Sequence, residues 1–446
     1  MPSAMEQLAA NFSFGAFSKA TELKQRIWFT LLALVVARLG TYVPMPGIDG
    51  AALAQQLQQQ SGLLDVFNVL AGGAIERMAI FALGIMPYIS ASIIIQLMSA
   101  VSKELETLKK EGEAGRKILN QYTRYGTVAL AAVQAYAIAV GLENWGTVVI
   151  EPGIAFELSA VITLTGGTIF LMWLGEQITA RGIGNGISLI IMVGIVAGFP
   201  SMLIQAVESA RTGAMSPMLL LFLAALAIVL VGFIVFIERA QRRLLVQYPK
   251  RQQGNRVFGG ESSHLPLKIN VSGVIPPIFA SSLLLLPSTI ASFNAASVPG
   301  WLQTVVAALG QGQPLHMLLY AAGIIFFAFF YTAIVFNPED TAENLKKYGG
   351  FIPGIRPGKR TAEYIDFVLT RITVIGSIYL AFVCLIPETL TAYYGITTFV
   401  MGGTSILIMV SVTMDTVAQI HSHLIAQQYE GLIKKARLRG ARQTTR

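Results

Sequence analysis

The chain has 446 residues, 54% hydrophobic and only 13% charged, with a net charge of +8. A soluble domain carries nearly twice that share of charge. Here the apolar residues gather into runs of about 20, the length that crosses a bilayer. The single cysteine, Cys384, excludes an intrachain disulfide and a cysteine metal cluster.

In chain order the runs predict ten spans: 24–43, 78–98, 122–142, 156–178, 183–206, 217–237, 271–293, 315–336, 367–387 and 398–420. The apolar run of the first, Trp28 to Val43, has Lys24 and Arg26 before it, contains Arg38 and is followed by Pro-Met-Pro-Gly, so it reads as a retained span and not a cleaved signal. Between the first two spans, Leu63 to Ala74 is apolar, glycine-punctuated and too short to cross. The second span carries Gly84, Pro87, Ser90, Ser92 and Gln96. Helix breakers and polar groups at membrane depth are tolerated in packed protein or beside a wet cavity, not against lipid. A half-helix beside a broken, polar span points to a channel or a carrier. The fifth span opens on Gly182, Gly184 and Gly186 and is expected to be interrupted at Pro200.

Lys and Arg collect in alternate loops. Lys103, Lys109, Lys110, Arg116 and Lys117 share a side with Arg181, with Arg239 to Lys268, with Lys346 to Arg360 and with the basic tail; the opposite loops hold Arg77 and Arg211. The positive-inside rule then places both termini in the cytoplasm. The chain divides into a segment 1–23, a half 24–206, a half 217–420 and a tail 421–446, with cytoplasmic loops at 238–270 and 337–366. Five spans per half means that the second half enters the membrane in the opposite sense, the inverted-repeat plan. The expected fold is therefore an all-α membrane protein in two inverted five-helix halves.

Ile85 and Ile89 share a helix face, as do Ile187 and Ile191. Such pairs usually pack against lipid or core. Their alternative use is a hydrophobic constriction of stiff β-branched side chains. The run 182–186 lacks the lysine and preceding strand of a phosphate loop, and 354–359 fails that pattern too, so nucleotide hydrolysis is not expected. His264, His316, His421 and His423 form no metal motif. Glu176 and Asp415 lie near span ends, where a structural partner suits them better than proton relay. The turn with Pro353, Gly354, Pro357 and Gly358 presents Arg356 at its tip, where it can meet phosphates or acidic protein.

The segments ALGIMPYISASIIIQL (82–97), KKEGEAGRKILNQYTRYGT (109–127), WLGEQITARGIGNGIS (173–188), HLPLKINVSGVIPPIFASS (264–282), VFNPEDTAENLKKYGGFIPGIRPG (335–358) and MGGTSILIMVSVTMD (401–415) closely resemble the SecY family, the channel subunits of the bacterial protein translocase. The resemblance covers essentially the whole chain in order. It implies ten helices in a clamshell around an hourglass pore, in the bacterial cytoplasmic membrane. It implies a pore ring of Ile85, Ile89, Ile187, Ile191, Ile278 and Ile408. It implies a plug at about 63–74, including Leu63, Leu64, Phe67, Asn68 and Gly72. A lateral gate is implied between the second and third spans and the seventh and eighth, with Ser90, Ser92, Gln96 and Asn270 at polar positions near it. Arg251, Arg256 and Arg356 match the surface that docks the ribosome, with its RNA, and the SecA motor. The implied partners are SecE, SecG, SecA, the ribosome, signal peptides, nascent chains and anionic lipid. The resemblance implies no cofactor, and it implies a conduit and not an enzyme. A secondary transporter would need a charged cluster at mid-membrane, and an intramembrane protease a nucleophile with its base; neither is visible.

Overall fold

The computed structural model describes residues 21–53, 72–146, 148–213, 215–248, 251–253, 256–258, 262–293, 308–310, 312–394 and 402–443. The helices are α1 (Thr21–Gly40), α2 (Met86–Val101), α3 (Lys103–Lys110), α4 (Glu113–Asn144), α5 (Ile154–Arg181), α6 (Gly186–Arg211), α7 (Pro217–Arg239), α8 (Ile275–Phe293), α9 (Pro314–Val335), α10 (Pro338–Lys347), α11 (Lys359–Tyr394) and α12 (Gly403–Gln443). Seven of the described helices are long and apolar enough to cross a membrane. The other three expected spans are also helical: α1, the short apolar α2, and α8.

The packing repeats between halves. In the first, α2 lies on α4, α4 on α5, α5 on α6 and α6 on α1. In the second, α8 lies on α9, α9 on α11, α11 on α12 and α12 on α7. Each of these four contacts of one half has its counterpart in the other, the physical content of the inverted plan. The halves meet along two lines. On one, α8 touches α2 and α4; on the other, α6 touches α12 and α7, and α1 touches α12.

Several boundaries differ from expectation. The second span begins at Met86 and not at 78, because Met78 (φ 44°) and Gly84 (φ 56°) take left-handed backbone, and Pro87 then sits in the first helical turn. Residues 72–85 are a chain of turns. The fifth span is not interrupted at Pro200: α6 runs through it to Arg211. The last span continues unbroken into the tail, to Gln443. The chain also contains strands. Gln241–Gln247 (β1) pairs antiparallel with Ser262–Lys268 (β4), and the short Arg251–Gln253 (β2) pairs with Arg256–Phe258 (β3). Gln247 and Phe351 exchange both backbone bonds at 2.9 Å, fastening this ribbon to the turn that precedes α11. Leu244, Leu267, Ile352 and Ile365 bury the junction.

The glycine run before α6 is one of the places where backbones approach closely. A Cβ at Gly186 would stand 2.0 Å from the carbonyl oxygen of Gly175, on α5. We expect Gly186→Ala to destabilise the protein by about 1–3 kcal/mol, the usual cost of overpacking. Gly166→Ala, with nothing within 4 Å of the added carbon, leaves thermal unfolding in detergent unchanged. Equal midpoints for the two variants would remove this packing argument.

Candidate functional site

The site is built from helix beginnings. Ile85 is the residue before the first turn of α2, and Ile89 donates its amide to the Ile85 carbonyl (3.1 Å). Ile187 and Ile191 lie in the first two turns of α6, Ile278 in the first turn of α8 and Ile408 in the second turn of α12. All six belong to one apolar cluster between the halves. Ile85 and Ile408 are fully buried, and the other four are partly buried against the same cluster. The cluster also takes in Phe81, Leu189 and Leu407, among others. The four helices are equivalent pairs: α2 corresponds to α8, and α6 to α12.

The start of α6 is held from three directions. Thr30 on α1 accepts the Ile183 amide at 3.1 Å. Thr179 on α5 accepts the Gly186 amide at 2.9 Å. Gln419 on α12 accepts the Gly184 amide at 2.9 Å, and Gly184 is left-handed at φ 87°. Asn185 caps the helix, its side-chain oxygen accepting from the Ile187 and Ser188 amides at 3.1 and 3.3 Å. The sequence alone does not show that three separate helices supply the acceptors for this run.

The bonds of the polar positions near the α2/α8 line run within each half. Gln96 donates to Ser92 at 3.1 Å within α2, and Ser90 is half-buried on the same helix. Asn270 is buried just before α8; it donates to Glu238 of α7 at 2.7 Å and to the Gly273 carbonyl at 3.1 Å, and accepts from Ser272. Ser92, Gln96 and Asn270 are therefore bonded within their own halves. The structure adds one bond across this line: the Lys109 ammonium donates to the Ile334 carbonyl, near the end of α9, at 2.9 Å.

Of the expected plug, Leu63, Leu64, Phe67 and Asn68 lie outside the described residues. Gly72 is described. It is left-handed (φ 68°), its carbonyl accepts from the Arg38 guanidinium, and a Cβ there would meet Gly194 on α6 at 3.0 Å. Arg38 also donates to the Tyr42 hydroxyl, and Arg77 stacks on the Tyr42 ring. Arg251 and Arg256 lie on β2 and β3. Arg356 is exposed on the turn, between left-handed Gly354 and Gly358.

Glu176 and Asp415 have structural partners. Arg124 grips Glu176 through two bonds of 2.9 and 2.7 Å, and Lys268 stands 3.6 Å from Asp415. Spacing in the chain could not pair His316 with Glu388, yet their side chains meet at 2.6 Å and are largely buried. Among the described residues no three His, Cys, Asp or Glu side chains could hold a metal ion.

An apolar cluster between two inverted helical halves of membrane-spanning length, with a basic ribbon outside it, fits a channel-type membrane protein. The SecY family model matches residues 79–417. The chain is 55% identical over 431 residues to a protein translocase subunit SecY of Vibrio cholerae, covering 95% of this chain and 97% of that one. It is 55% identical over 424 residues to that of Escherichia coli K12, covering 94% and 96%. Among solved structures it is similar to a protein-conducting channel (TM-score 0.66, 18% identity, 89% of this chain and 92% of that one). It is similar also to Sec61 in the canine ribosome–channel complex (TM-score 0.62, 16% identity, 89% and 92%). The chain belongs to the SecY family.

Asn185→Ala removes the cap that sets the first turn of α6. We expect a loss of about 1 kcal/mol, read as faster hydrogen exchange at the Ile187 and Ser188 amides. Unaltered exchange there would show that the neighbouring helices alone fix the turn.

Proposed function

We propose that this chain is the channel subunit of a protein translocase, and that the six isoleucines are its seal. The observation that carries this reading is their placement. They stand at the beginnings of four helices, drawn as equivalent pairs from the two halves, in one apolar cluster. Stiff side chains without hydrogen-bonding groups keep water from a narrow waist at rest. An extended polypeptide entering from the cytoplasm parts them, and they close around it without specific bonds, so side chains of any type pass. The segment 63–74 acts as a plug on the far side. Gly72, held by Arg38 and packed on Gly194, is where that segment joins the body of the protein.

Sideways release follows from the α2/α8 line. Its polar groups are satisfied within each half, so parting the halves there leaves Asn270, Ser92 and Gln96 bonded as before. A segment apolar enough to prefer lipid leaves through the opening. The energy comes from outside the chain: a translating ribosome, the SecA ATPase or the membrane potential. Arg356, on a turn fastened to the β1–β4 ribbon, together with Arg251 and Arg256, offers the cytoplasmic docking surface. SecE and SecG are the partner subunits. Both termini face the cytoplasm and the basic loops contact anionic lipid. A secondary transporter fits less well, since its charged mid-membrane cluster has no counterpart at the isoleucine waist.

Replacing Ile187 and Ile191 together by serine should wet the waist and raise resting ion conductance in planar bilayers severalfold. Conductance at the unmodified level would sink the seal. Arg356→Glu should slow motor-driven or ribosome-driven transport at least severalfold while the variant itself still inserts. Full transport by that variant would remove Arg356 from docking.

A further inference from the structure

The bond across the α2/α8 line has a cause in the sequence. In a helix the Ile334 carbonyl would accept the amide of the residue four places on. That residue is Pro338, which has no amide hydrogen. The chain needs Pro338 there, because Asn337 caps α10, accepting the Glu339 amide at 3.0 Å, and Pro338 opens it. α9 ends at Val335 with Phe336 extended, so its last carbonyls have no helical donor; the Ile334 carbonyl is one of them, and Pro338 cannot supply an amide to it. It lies at the negative end of the helix dipole, where a cation is favoured. Its donor is Lys109, 225 residues away in the chain and in the other half of the protein. Lys109 sits on α3, the short helix that joins α2 to α4, and these are the two helices that α8 faces. Burial, aided by the positive charge of Arg116, holds the Lys109 ammonium below the usual lysine range, against an opposing effect of Glu106. The ammonium has therefore given up part of its hydration to sit at this carbonyl.

We infer that Lys109 is a clasp between the two halves at the end of the lateral line, and that its bond to the Ile334 carbonyl sets how apolar a segment must be before the line opens to it. The threshold part of this inference rests on the reading of α2/α8 as a sideways exit; the clasp itself does not. When the line parts, Lys109 regains water but the carbonyl loses its donor, so the closed arrangement is favoured by the difference. A strongly apolar segment overcomes that difference and a marginal one does not. The exposed position limits the effect to a modest bias, which suits a threshold better than a lock.

The test uses the full-length chain in proteoliposomes with its motor. Lys109→Met keeps the length of the stem and removes the charge and the donors; Lys109→Arg keeps both. Spin labels on Thr107 of α3 and Asn344 of α10, both exposed, report the separation of the halves. A series of substrates with graded apolar segments reports the threshold. Lys109→Met should lengthen or broaden the label distance. It should also raise the share of marginal segments released into lipid, by about three- to fivefold, the scale of one solvent-accessible charged hydrogen bond. Lys109→Arg should leave both readings as they were. An unchanged label distance in Lys109→Met overturns the clasp. A longer distance with an unmoved threshold overturns the threshold role and counts against sideways exit along this line, while leaving the seal at the isoleucines untouched.

Discussion

Lipid offers no hydrogen bonds, so a membrane chain can break a helix only where something else takes up the freed backbone groups. The isoleucines at the starts of α2 and α6 stand beside such breaks. The turns before α2 are paid for by the loop after α1: Met45 donates to the Met78 carbonyl and Ile80 to the Val43 carbonyl, both at 2.9 Å. The glycine run before α6 is met by Thr30, Thr179 and Gln419. The proline break after α9 is met by Lys109. Once these bonds are made, a helix can begin deep in the protein instead of at its surface. Isoleucines from opposite halves can then be brought into one cluster.

The two lines of contact between halves differ in kind. On the α6/α12 side, Gln419 bonds into the turn before α6, and the Thr413 hydroxyl of α12 lies 3.4 Å from the sulfur of Met192. The chain itself also passes from α6 to α7 on this side. On the α2/α8 side the contact is mostly between side chains whose polar atoms are bonded at home. One edge is thus tied by covalent chain and side-chain hydrogen bonds, the other by apolar contact and the bond from Lys109.

Much of this was readable in the residues. The ten apolar runs, the loop charges and the odd count per half lead to the inverted plan, and the contact pattern repeats as that plan requires. Ile85 with Ile89, and Ile187 with Ile191, stood out by helical spacing. Ile278 and Ile408 came only with the family resemblance, because a single isoleucine in an apolar run carries no period. The start of α2 was misjudged by eight residues, since hydropathy is blind to the left-handed backbone at Met78 and Gly84 that keeps an apolar stretch from becoming helix. Pro200 was overrated as a breaker: a proline in the body of a helix removes one amide, and the surrounding turns of α6 carry the helix past it. The ties from Lys109, Gln419 and Arg38 had no signature at all, because each joins residues far apart in the chain through a backbone atom, and backbone atoms leave no mark in composition.

The ribbon of β1 and β4 shares two backbone bonds with Phe351, and eight residues later the chain enters α11. That helix has 36 residues and so extends about 54 Å, well beyond the ~30 Å of a hydrocarbon core. A load applied at Arg356 is thereby delivered to the end of a long rod whose far part is embedded among α9 and α12. The ribbon and the helix that carries Ile408 are thus joined through one rod, which makes α11 a lever arm between them.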